Sequence, residues 1–131
     1  MSTFNVELEE RLIAFASSLR TLTQGLPDSE KPCHLMFQLN YSAAEPALLY
    51  AEAQSADNAK EFLALLKHCL RELRKVNIIL RIVKNLPATE ALSTTAIIEE
   101  SGHLIAILAK SVKTKKSNMA NGKKEKAEAV L

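Results

Sequence analysis

The chain has 131 residues, 17 Lys or Arg against 15 Asp or Glu, 47% hydrophobic and 5% aromatic residues, three glycines and no tryptophan. That length supports one domain with a proper core and not two, and the composition suits helices of Leu, Ile and Ala, because strand-forming runs between turn signals are missing. The opening MSTFNVELEE has no basic start and no apolar run, and no later segment offers about 18 uncharged apolar residues in a row, so a soluble, cytoplasmic protein without a membrane partner is expected.

In chain order, the first helix is expected from about Asn5 to Gln24, because Leu8, Leu12, Phe15, Leu19 and Leu22 recur at alternating steps of four and three and so form one apolar seam. Glu7, Glu9 and Glu10 are expected in its first turns, where exposed amides favour negative charge. Gly25 followed by Leu26-Pro27 is a stop signal, and Asp28 to Pro32 reads as a loop. A second helix is expected over roughly Pro32 to Gln54, with Leu35, Leu39, Ala43, Ala47, Tyr50 and Ala51 near one face. Pro46 lies inside it and predicts a kink, since proline removes an amide donor and clashes with the preceding turn.

Ser55 to Asn58 reads as a turn in which Asp57 or Asn58 caps a third helix, with Glu61 near the N3 position. From there Phe62, Leu66, Cys69, Leu73, Val76, Leu80 and Val83 step by four and three over three heptads, the strongest helical pattern in the chain. Ile78 and Ile82 fall off this seam, among positions expected to face solvent, and as an i, i+4 apolar pair they point to a subunit interface. Asn85 to Thr89 breaks the pattern. A fourth helix is expected from about Thr89 to Val112, with Thr94, Ile98, Ser101, Ile105, Leu108 and Val112 as its seam and with Gly102 allowing close approach of a neighbour. Residues 1–112 thus predict an all-α, up-down-up-down antiparallel four-helix bundle. Residues 113–131 lack a core pattern and are expected to form a mobile tail, with a partial helix around Lys123 to Val130 as the alternative.

The overall charge of +2 hides an uneven distribution: residues 1–112 hold 11 basic and 13 acidic side chains, whereas residues 113–131 hold 6 lysines and 2 glutamates. Lys60, Lys67, Arg71, Arg74 and Arg81 project within about 80° of one another on the third helix, a basic stripe able to track phosphates. The stripe has no aromatic side chain for stacking bases and the body is net acidic, which favours a solvated face or salt bridges to a neighbouring subunit over nucleic-acid contact.

Chemistry beyond binding has little support. Cys33 and Cys69, only two in a chain without export signals, read as reduced thiols, and their neighbours His34 and His68 point about 100° away from them and do not readily share a metal with them. Glu100 and His103 give one Glu-x-x-His where a di-iron bundle needs two, so metal is disfavoured. Glu52 is a lone carboxylate, read as bonding the next turn or pairing with a cation across the bundle. No nucleophile motif occurs. The expectation is therefore no catalytic, cofactor or metal set and a protein that is not an enzyme.

Gln38-Leu39, Ser42-Ala43, Ala51-Glu52-Ala53-Gln54-Ser55-Ala56, Lys60-Glu61-Phe62 and Leu70-Arg71-Glu72-Leu73 together resemble the bacterial 23S ribosomal RNA intervening-sequence proteins. The resemblance covers roughly Leu8 to Val112 and is most specific over residues 51–73. It implies a four-helix bundle that assembles as a homopentamer, without established enzymatic activity. It also implies a distant relation to the accessory variability determinant proteins of retroelements, which bind nucleic acid and a reverse transcriptase. The chain departs from that pattern at Asn40, where many members carry a basic residue, at Leu49, and at Arg74-Lys75, where they often carry an acidic one. The expected partners are a second copy of the chain and RNA or DNA; a protein-partner scaffold is the alternative.

Overall fold

A computed structural model describes residues 3–24, 33–86 and 93–130, without the side chains of Thr3, Cys33, Met36 and 124–130. The stop signal at Gly25-Leu26-Pro27, the loop Asp28 to Pro32, residues 87–92 and the Cys33 thiol lie outside the described residues. Helices α1 (Thr3–Gln24), α2 (Cys33–Ser42), α3 (Glu45–Gln54), α4 (Ala59–Lys84) and α5 (Thr95–Val130) account for nearly all of the rest, with no strand among the described residues. The pair α2 and α3 together form the second of four bundle positions.

Side-chain ties across the helices fix their directions. Asn5 faces Tyr50 while Thr23 faces Asn40, so α1 runs against α2 and α3. Cys69 faces Pro46 while Ile78 and Ile82 lie beside Leu35, so α4 runs against that pair. Phe62 lies beside Lys115 while Asn77 bonds Ser101, so α5 runs against α4. With α1 also packed on α5, this closes an up-down-up-down antiparallel bundle.

The seams meet at its axis. Leu8, Leu12, Phe15, Leu19 and Leu22 of α1 are all buried, as are Leu66, Cys69, Leu73, Val76, Leu80 and Val83 of α4. Burying such side chains contributes about 1.5–3 kcal/mol each against leaving them exposed, which is why the 3.6-residue period dominates the fold. Among the described side chains of α5 the wholly buried ones are Ser101, Leu104 and Leu108, so Leu104 takes a seam place that the stepping pattern gives to the half-buried Ile105.

The second bundle helix breaks at Ala43-Ala44, just ahead of Pro46, rather than kinking at the proline itself. Pro46 has no amide to give Ser42, and its ring crowds that carbonyl, so the break falls between the two residues; Pro46 then sits in the first turn of α3, where its amide is not missed. The break shifts the helical phase. Leu49 and Ala53 turn inward with Tyr50, whereas Ala51, expected on the inner face, is exposed. Downstream, Asn58 caps α4 by accepting from the Glu61 amide at 2.8 Å, and the Glu61 carboxylate accepts from the Asp57 amide at 3.0 Å, a reciprocal closure of the start.

Four further expectations are corrected. Helix α1 begins at Thr3, so Glu7 falls in its second turn and the first turn holds no acid. Helix α5 begins at Thr95 rather than Thr89, with the Thr94 carbonyl accepting the first helical bond from the Ile98 amide at 2.9 Å. Nor does it end at Val112: residues 113–130 continue the same helix, because Lys, Ala, Glu and Met are good helix formers and no proline interrupts them. Gly102 is exposed, and a Cβ there would meet no atom within 4 Å, so it does not serve close helix approach.

Candidate functional site

The continuation of α5 gives the α4 stripe a second wall. Because the helices are antiparallel, one turn of α5 past Val112 passes beside Lys67 to Arg74, and a groove of about 510 Å³ opens between them. Leu70, Ala109 and Val112 line it with apolar groups, and among the described residues every charged group along it is a cation: Lys67, Arg71, Arg74, Lys113 and Lys116. None of the five pairs with a carboxylate among the described residues. Like charges held this close raise the potential of the groove and favour an anion that can bridge them.

Of the five stripe residues, the structure therefore brings Lys67, Arg71 and Arg74 together. Lys60 and Arg81 are exposed on α4 but do not line the groove. Lys75, the next cation along, is committed elsewhere: its Nζ lies 3.0 Å from the nearly buried Glu72 carboxylate, which His68 approaches at 3.6 Å. Lys113 and Lys116 are the residues that pattern reading assigns to a tail. The signal available for them was the lysine excess of 113–116 directly after a helical seam, read in the same helical phase.

On the other side of α4, Ile78 and Ile82 are 50% and 42% exposed. They line a second groove of about 480 Å³ with Leu35 and Ile79, and Arg71, Arg74, Lys75 and Gln38 border it. The two arginines thus stand between a cationic groove against α5 and an apolar one against α2.

The remaining candidates are structural. Arg11 of α1 donates from Nε and a terminal nitrogen to the two oxygens of Glu100, at 3.2 and 2.7 Å, and this bond holds the guanidinium pKa above its ordinary value. His103 Nδ1 lies 3.7 Å from the same carboxylate. The Glu-x-x-His pair is thereby absorbed into an α1–α5 tie, and no group of three potential metal ligands occurs among the described residues. Cys69 is wholly buried, its thiol donating to the Pro46 carbonyl at 3.1 Å, and burial pushes its pKa up to about 12, so it is a packed thiol and not a nucleophile. Burial likewise raises the Tyr50 phenol, which donates to Asn5. The Glu52 carboxylate, expected to bond the turn or a cation, is exposed and does neither among the described residues; its backbone carbonyl alone accepts from the Ser55 amide, at 3.0 Å.

Fold and site together define an all-α bundle with a cationic groove on one flank of its dominant helix and an apolar groove on the other. Compared with known proteins, the chain matches no family model, no curated protein and no solved structure. No helix among the described residues is long and apolar enough to cross a membrane.

Proposed function

We propose that the protein is a non-enzymatic, cytoplasmic, self-associating bundle of the intervening-sequence type that binds the phosphate backbone of RNA or DNA, as an accessory of a nucleic-acid or ribonucleoprotein assembly. One observation carries this reading: five cations, none paired with a carboxylate among the described residues, share one groove. Phosphate recognition needs positive charge at suitable spacing and little else, and arginine adds bidentate geometry. Fluorescence anisotropy with a labelled oligonucleotide tests it. Affinity is expected to fall steeply with salt, with a log–log slope of about −3.5 for a single strand to about −4.5 for a duplex if all five cations meet phosphates. Arg71→Glu with Arg74→Glu should lower affinity about 100-fold at low salt. Absence of binding by the wild type at low salt rejects the reading.

A scaffold for protein partners is the second reading, favoured by the exposed Ile78 and Ile82 and the apolar groove they line. Self-association, as a pentamer by the resemblance, belongs to both readings. Light scattering should report an oligomer that dissociates on Ile78→Asp with Ile82→Asp. A monomeric wild type rules out self-association.

A further inference from the structure

We infer that the strand bound by the cationic groove is single, and that its bases stack in an aromatic pocket on the opposite flank of α5. The inference rests on the phosphate-binding reading above and names the form of nucleic acid that the site takes. The pocket, of about 450 Å³, is lined by Phe4 of α1, Phe62 of α4, and Ile107, Lys110, Thr114 and Lys115 of α5 among others, with no carboxylate among the described residues. It therefore joins two aromatic rings to two cations, the combination that single-strand sites use: charge to follow the backbone and a π-face for each base. Phe4 is 53% exposed and free to stack. Phe62 carries the Lys115 ammonium 5.4 Å from its ring centroid, a contact that a phosphate can draw aside because an exposed cation–π pair is weak.

The two sites are joined by charge. Projected at 100° per residue, Lys116 and Val112 face the cationic groove, Thr114 and Asn118 face the aromatic pocket, and the exposed Lys113 and Lys110 stand on the ridge between. A strand leaving Arg71 and Arg74 thus crosses α5 over lysines throughout. The crossing is about the width of one helix, roughly 10 Å, or about three nucleotides of a stacked strand. A duplex keeps its bases paired inside and is stiff over this distance, so it can use the cationic groove but not the pocket. The basic stripe alone has no aromatic group; the tertiary fold supplies one from α1 and from the first turn of α4.

The test compares a labelled single strand of about a dozen nucleotides with the same sequence as a duplex, on the full chain at low salt, by anisotropy. The single strand should bind about 10-fold tighter. Phe4→Ala should lower single-strand affinity about 10-fold while leaving duplex affinity and the salt slope unchanged, and Phe4→Tyr should retain it. Phe62→Leu should act in the same direction, with circular dichroism checking that the bundle persists. Equal affinity for both forms, or a Phe4→Ala variant that alters neither, overturns the inference and leaves phosphate binding standing. Failure of both forms to bind removes the phosphate reading and this inference with it. Competition by a nucleoside monophosphate as strong as by the strand itself overturns it in favour of a small-ligand pocket.

Discussion

The two grooves beside α4 share Arg71 and Arg74 and differ in what the neighbouring helix contributes. Against α5, the arginines meet Lys113 and Lys116, and the apolar groups Leu70, Ala109 and Val112 lie between the charges. Against α2, the same arginines border Leu35, Ile78, Ile79 and Ile82, and the nearest further cation, Lys75, is already paired with Glu72. A helix face therefore has no fixed binding character of its own. Its partner helix decides whether one pair of arginines heads a polyanion track or rims an apolar surface, because potential and desolvation depend on everything within a Debye length and not on one stripe.

The sharpest way to break this comparison is to remove the frame under both grooves. Leu73 is wholly buried beneath them, and Leu73→Ala should cost about 2–5 kcal/mol of stability, read from the urea midpoint, and weaken both surfaces together. Lys113→Glu with Lys116→Glu separates them: polyanion affinity should fall about 100-fold, while any oligomer seen by light scattering persists, because only the α5 wall is altered. The packing below responds to pH. Burial holds Cys69 near 12 against an ordinary 9.0, so above pH 9 the unfolded chain releases a proton that the folded chain keeps. Stability contributed by this group is intact below pH 9 and declines as pH rises from 9 towards 12, by up to about 1.4 kcal/mol per pH unit. Cys69→Ala should flatten the alkaline slope of the urea midpoint. Smallest in effect, Gly102→Ala lies on the exposed face of α5 with open space around it and should stabilise the bundle by about 0.5–1 kcal/mol without touching either groove.

Much of the scaffold was readable because it depends on local order. The α1 and α4 seams, the Asn58 cap and the reach of Glu61 all follow from residues three or four apart. Elsewhere spacing along one helix does not carry the outcome. Ala51 lost its inner place once Pro46 had reset the phase of α3. Gly102, which the sequence suggests as a point of close approach, faces open space. The single Glu100–His103 spacing disfavours a metal, but that Arg11, 89 residues away in sequence from Glu100, takes the carboxylate is set by the fold. For the site, Lys67, Arg71 and Arg74 are legible as a stripe, whereas spacing assigns Lys113 and Lys116 to a tail and Phe62 to the core, and the fold puts the lysines beside the stripe and leaves Phe62 half-buried in a pocket with Phe4.

The sequence by itself determined the helical class, the inward seams and the exposure of Ile78 and Ile82, since a 3.6-residue period sorts each helix into faces whatever lies beside it. Only the tertiary structure decided which outer residues share a groove. That depends on the antiparallel register of α4 and α5 and on α5 running on past Val112, which sets its lysines opposite the arginines, and on α1 placing Phe4 at the pocket that Phe62 also lines.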